Sequence, residues 1–326
     1  MRDPQHLAFE TSWDDTSIAV FRGTELLSLH TESQLHSDTG GVVPEVAARL
    51  HANVVFDVLD RVLSEAQITL DDLDFISATS EPGLIPSHLL GKTVAKTLAH
   101  TKDIPLFWIN HIEAHIFANL LERDISDIEF PVVCLTVSGW HNELYLWKFL
   151  EELELLGQTR DDAAGEAFDK IAKSLGLGFP GGPIISRLAL EHSFPPKWLF
   201  PRVMLENESL DFSFSGLKSA VKREIDTRRI DGEISIEDMR EIAYEFQDAV
   251  TDILTDKLFR AASQLDIPRV LLAGGVSAND QLREKITARA SEQEMTFIAP
   301  VKRLYGMDNA AMVGIRGYYQ WRSITR

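Results

Sequence analysis

Cysteine is almost absent from this sequence: one residue, Cys134, in 326. A lone thiol excludes an internal disulfide and fits a reducing compartment. Its setting, the apolar run FPVVCLTV, marks it as a small buried hydrophobe rather than a nucleophile. Long apolar runs are missing as well. None approaches the roughly 18 residues of a membrane-spanning helix, and the opening MRDPQHLAFETSW carries no apolar signal-peptide core. A cytoplasmic protein without membrane contact is therefore expected. Cations are scarce: 32 Lys and Arg stand against 50 Asp and Glu, a net charge of −18. That balance excludes a general nucleic-acid coat, which relies on Lys and Arg. It leaves open a nucleic-acid substrate held by a partner or by a local patch, of which residues 218–229 (KSAVKREIDTRR), followed by Lys302 and Arg303, are the best. Low-complexity linkers are also lacking.

What is there is ordinary globular composition, 44% hydrophobic and 25% charged. The length suits two domains better than one core. Residues 7–22 (LAFETSWDDTSIAVFR) read as strand, polar turn, strand, and residues 130–149 (FPVVCLTVSGWHNELYLWKF) repeat the scheme. This weak symmetry predicts a duplicated α/β architecture, each lobe opening on a hairpin. Its two turns, 12–15 and 138–142, would face one another across a phosphate-bearing ligand in an interlobe cleft. The acidic stretch 122–129 is the candidate boundary, giving lobes at 1–125 and 126–326. Gly40 and Gly41 break the chain ahead of an amphipathic helix at 43–63. Further helices are expected at 89–100, 237–265 and 309–319, with a buried strand at IPLFWI and another at 267–273. Residues 193–215 show no period that assigns them.

The run NHIEAH places His111 and His115 four apart at a strand-to-helix junction. Four apart on a helix is one face, so both imidazoles can reach one metal ion. Such pairs also serve as plain core or surface residues, so a third ligand is required. YGMDNAAM puts Asp308 at the start of the last helix. A carboxylate there is by default a cap; if it returns to the histidines, two imidazoles and one carboxylate suit Fe(II) or Zn(II). AGGVSAND gives a strand, a glycine turn and a helix start, where Gly274 and Gly275 admit close backbone approach and Asn279 can cap the helix or bond a ribose or phosphate. GFPGGP reads as a second tight turn, preceded by Glu166 and Asp169 on one helical face, able to hold a ribose or a metal.

Taken together, GGVVPEVAARLH, NHIEAH, ELLGQTRDDAAGEAFDKIAKSLGLGFPGGP, DFSFSGLK, LAGGVSAN and DNAAM resemble the TsaD/Gcp family of tRNA adenosine threonylcarbamoyltransferases, in that family's order and spacing. The resemblance implies an actin-like, sugar-kinase-like fold of two lobes with the ligand in the cleft, and a last helix, about 309–326, packed on the first lobe. It implies metal ligation by His111, His115 and Asp308. It further implies binding of threonylcarbamoyl-adenylate, or an adenine nucleotide, by Thr136, Val137, Ser138, Gly139 and Trp140 with Asp169, Gly182 and Asn279. A homologous TsaB-like subunit and a TsaE-like ATPase are the implied partners, and tRNA the substrate. Trp13, Asp15, Glu81, Pro86, Trp140 and Met307 stand where the family usually carries other residues.

The reaction so implied is acyl transfer to the exocyclic amine of the adenosine 3′ to the anticodon in tRNAs reading ANN codons, with AMP leaving. That amine is a poor nucleophile, so orientation and an activated electrophile must supply the rate. Asp14 is a candidate base or phosphate-side residue, while Glu113 points off the metal face by its spacing. Two other classes compete: an actin-like ATPase or small-molecule kinase using Asp14, and a non-catalytic subunit of the same modification complex. A metallopeptidase is disfavoured, since HIEAH is not HExxH.

Overall fold

A computed structural model describes residues 2–34, 43–193, 195, 197–205 and 208–325; the expected break at Gly40 and Gly41 lies outside them. The chain divides into two compact units, one of Met1–Ile128 with Pro300–Arg326, the other Glu129–Ala299. The first unit thus closes slightly beyond residue 125 and takes back the end of the chain.

In the first unit, β1 (Gln5–Glu10), β2 (Asp15–Arg22) and β3 (Glu25–Ser33) form an antiparallel meander. Next come α1 (Pro44–Ala66), β4 (Phe75–Glu81), α2 (Ile85–Lys102), β5 (Leu106–Asn110) and α3 (His111–Phe117). The sheet order is β3-β2-β1-β4-β5, with β1, β4 and β5 parallel. Period-two alternation sorts its side chains. Leu7, Phe9, Ile76 and Ala78 join Val55, Val58, Leu59 and Val62 of α1 and Val94, Ala95 and Ala99 of α2 in one apolar cluster. The α1 residues recur at three and four positions, so one helical stripe is buried. Each such Val or Leu contributes about 1.5–3 kcal/mol by leaving water. His6, Glu10, Phe75, Ser77 and Thr79 have the opposite parity and take the other face.

In the second unit, β6 (Val132–Val137), β7 (Asn142–Phe149) and β8 (Glu152–Gln158) form an equivalent meander. They are followed by α4 (Ala164–Ser174), α5 (Gly181–Leu190), α6 (Ser215–Arg228), α7 (Ile236–Gln264), β9 (Arg269–Ala273), α8 (Asp280–Glu292) and β10 (Thr296–Ile298). The order β10-β9-β6-β7-β8 repeats the first sheet strand for strand, and in each unit a turn of four residues, 11–14 or 138–141, joins the first two strands. Val133, Leu135 and Val137 bury against Phe246, Val250, Ile253 and Leu254 of the long helix α7. Residues 193–215, which the sequence left unassigned, form no regular element among the described residues until α6 begins at Ser215. Buried side chains hold their backbone instead: Glu245 accepts from Lys197 and Leu199 amides, and Lys257 donates to Met204 and Ser209 carbonyls.

The final helix, α9 (Ala310–Thr325), is longer than its apolar pattern predicts and returns to the first sheet. Gly314 and Gly317 allow the approach: a Cβ at Gly317 would stand 2.6 Å from Ser77, and one at Gly314 would strike the Phe21 ring. Beside it His6 lies stacked between Phe21 and Phe75. No helix among the described residues is long and apolar enough to cross a membrane.

Candidate functional site

Strand β5 ends at Asn110 and α3 starts at the next residue. The Asn110 side chain accepts from the Ile112 and Glu113 amides at 2.8 and 3.1 Å, satisfying donors that a helix start leaves open. That cap fixes where the helix begins and sends His111 and His115 to one face. Both are buried, with rings 4.7 Å apart and nearly perpendicular. Glu113 leaves on another face and pairs with Arg316 of α9 at 3.0 Å, in agreement with its spacing.

Asp308 comes from the segment leading into α9. The capping role expected of it belongs to its neighbour: the Asn309 side chain accepts from the Ala311 and Met312 amides. The Asp308 carboxylate instead meets the histidines, its Oδ1 being 3.1 Å from His115 Nε2 and 3.6 Å from His111 Nε2. Ligand atoms of all three residues lie within 4.8 Å of one another. His115 Nε2 makes no hydrogen bond among the described residues despite the 3.1 Å approach. Donors about 2.1 Å from one shared ion stand about 3.0–3.4 Å apart along the edges of its polyhedron. The 3.1 Å separation falls in that range and the 3.6 Å one just beyond it, so the donor set is compatible with a divalent cation.

Further acids surround this set, of which Glu10 carried no sequence expectation. Glu10, fully buried at the end of β1, accepts from the Ser12 amide, Thr79 Oγ1 and the His111 ring. Burial opposes charge on His111, but Asp308 and Glu10 outweigh it and hold its pKa up at about 9. Burial works against the Glu10 carboxylate too, yet His111 holds it below the usual range. For Asp15, burial, helped by the charges of Asp14, Asp308 and Glu10 and opposed by a bond from Ser33, pushes the pKa up to about 7. Asp14 is half-buried in the β1–β2 turn, where its carbonyl accepts from the Gln34 amide. An acid at an inward position of an otherwise apolar strand was the available signal for Glu10; its partner lies 101 residues away.

The second unit gathers the remaining candidates around backbone. In the β6–β7 turn Ser138 Oγ accepts from the Trp140 and His141 amides, and the half-exposed Trp140 leaves Gly139 with open space around it. Helix α4 starts against this turn: a Cβ at Gly165 would stand 2.6 Å from the Ser138 carbonyl. Gly274, with φ of +85°, lets the strand end approach Val137. GFPGGP is a helix start rather than a turn, since α5 begins at Gly181, whose amide donates to Asp169 at 2.7 Å. Gly182 beside it has open surroundings.

Two expectations change here. Glu166 and Asp169 do not act together: Glu166 pairs with Lys170 while Asp169 holds α5. Asn279 spends its side chain internally, its oxygen on the Leu282 amide and its nitrogen on Ser186 and Gln247. The basic run 218–229 is also largely neutralised, with Lys218 on Asp162 and Arg228 on Glu224, Asp238 and Glu241, while Lys222 and Arg223 stay exposed.

Comparison with known proteins fits this geometry. The family model described as TsaD, tRNA N6-adenosine threonylcarbamoyltransferase, matches residues 25–315. The chain belongs to the TsaD family. A relative of that name from Desulfitobacterium hafniense is 45% identical over 323 residues, covering 98% of this chain and 93% of its own length. Another, from Syntrophomonas wolfei, is 42% identical over 97% and 92%. Among solved structures, full-length HypF in a phosphate- and nucleotide-bound form aligns with all of the chain at a TM-score of 0.66 and 12% identity; the chain spans 47% of HypF. Component A of (R)-2-hydroxyglutaryl-CoA dehydratase from Acidaminococcus fermentans aligns at 0.54 and 13%, covering 97% and 98%. These likenesses bear on fold alone. With the duplicated sheets they place this TsaD family member among actin-like, sugar-kinase-like folds.

Proposed function

We propose that this TsaD family member transfers the threonylcarbamoyl group from threonylcarbamoyl-adenylate to N6 of the adenosine 3′ to the anticodon in tRNAs reading ANN codons. The observation that carries the reading is the convergence of two buried histidines, His111 and His115, with the partly exposed Asp308, residues up to 197 positions apart in sequence, leaving an imidazole nitrogen without a hydrogen bond among the described residues. The adenosine amine attacks the carbamoyl carbon, the bond to the adenylate oxygen breaks, the amine gives up a proton, and AMP departs. A divalent ion held by His111, His115 and Asp308, Fe(II) first and Zn(II) second, would supply Lewis acidity and a template for the acyl group.

The chain's own residues divide the remaining work. In the second unit, Thr136, Val137, Ser138, Gly139 and Trp140, with Asp169 and Gly182, form the adenylate-binding set. Open backbone at Gly139 and Gly182 suits close approach by a phosphate, and the α5 start favours negative charge. Asn279 serves that set by fixing the first turn of α8 against α5. Asp14, or the departing phosphate, takes the proton. A TsaB-like subunit and a TsaE-like ATPase complete the working assembly and help hold tRNA that this acidic chain binds poorly alone.

The test is threonylcarbamoyl transfer to unmodified tRNA by the purified chain, with metal quantified, with and without the two partner proteins. His111→Ala should remove both metal and transfer. Transfer that survives undiminished without metal defeats the assignment.

A further inference from the structure

Glu10 is a carboxylate with no exposed surface, and the chemistry just described gives it no part. Burying such a group is costly unless donors surround it. Here three do. The Ser12 amide donates to Oε1 at 2.6 Å, Thr79 Oγ1 donates to Oε2 at 2.6 Å, and His111 Nδ1 lies 3.0 Å from the same oxygen. Ser12 Oγ adds a second contact to Nδ1 at 3.2 Å. The carboxylate is therefore itself held before it reaches the ring, and both groups lie on the sheet face opposite Leu7 and Phe9.

In the neutral imidazole that a metal ion requires, a ring nitrogen that donates to a carboxylate leaves the other nitrogen as a lone pair. For His111 that other nitrogen is Nε2, the one facing Asp308. His115 is different, since its Nδ1 has no hydrogen-bond partner among the described residues. We propose that Glu10 is a positioning residue that fixes the orientation and Nδ1–H tautomer of His111, so that the two imidazoles are unequal ligands, one oriented by a carboxylate and one by packing alone. The inference rests on the metal reading above. Partners of this kind typically change metal affinity by about 10- to 100-fold.

The test uses the full chain and Zn(II) as a diamagnetic probe, with affinity read by competition against a chromogenic chelator. Glu10→Gln keeps the size but cannot accept from donors on both sides, and should weaken zinc binding about 10- to 100-fold. Thr79→Val keeps the carboxylate, removes one of its donors, and should weaken binding less. Long-range nitrogen–proton NMR of the zinc-loaded protein should find the ring proton on His111 Nδ1, lost or displaced in Glu10→Gln, with His115 unmoved. Zinc affinity and a His111 tautomer unchanged in Glu10→Gln overturn the proposal. Should that variant not fold, the same two null results in Thr79→Val overturn it. Wild type and His111→Ala holding zinc equally would instead bring down the metal reading, and this inference with it.

Discussion

The two units repeat one sheet topology, yet their candidate sites are built of opposite materials. The first presents side chains: two imidazoles and a carboxylate, with a buried acid against one ring. The second presents backbone at Gly139 and Gly182, with Gly165, Gly181 and Gly274 allowing its elements to close up. Side-chain sites depend on donor identity, and backbone sites depend on the absence of a Cβ. The repeated sheet order therefore does not fix which of the two materials a unit presents.

Substitutions can break this contrast or sharpen it. The largest effect is expected in the first unit, where Asp308→Ala should leave the fold intact and lower transfer by roughly a thousandfold, comparable to losing a dedicated electrostatic group. Metal analysis of the same sample should show the ion gone. Next comes acid sensitivity. His6 is buried among aromatic rings, and that burial, only partly offset by its bond to the Gly23 carbonyl, lowers its pKa to about 4. The unfolded chain binds the proton more readily, so this contribution is complete above the unfolded value of about 6.5. It falls away as pH drops toward 4. The window is worth about 3 kcal/mol, and denaturant midpoints measured across it should lose that slope in His6→Phe.

In the second unit Gly165→Ala should cost about 1–3 kcal/mol, because the added methyl meets the Ser138 carbonyl and the turn has to move. Its KM for the adenylate should rise more than kcat falls. Gly182→Ala is the smallest and sharpest probe. Nothing stands near the new methyl, so stability should change by less than about 0.5 kcal/mol. Weaker adenylate binding in that variant would mark the position as a ligand contact. Unchanged binding would place the adenylate elsewhere.

Legibility in the sequence followed the same division. His111 and His115 could be read because four-residue spacing is a local property of a helix. Asp308 could be paired with them only through resemblance, since its return depends on α9 packing on the first sheet. Glu10 escaped notice for the same reason: its partner is distant, and only strand parity hinted at its direction. The strands β3 and β8 went unread because each lies at a sheet edge and buries few residues, which blurs alternation. Asn279 was legible as a cap. That its amide nitrogen was already committed to Ser186 and Gln247 was not, because the donors a fold consumes are invisible before it forms.

The return of α9 also bears on synthesis. The imidazoles leave the ribosome early, but the acid between them arrives only after the whole intervening unit has been made. A chain whose translation stalls before residue 308 can carry both histidines and still lack the third ligand. On the metal reading proposed above, ion capture requires translation past residue 308, and products that end earlier lack the complete ligand set.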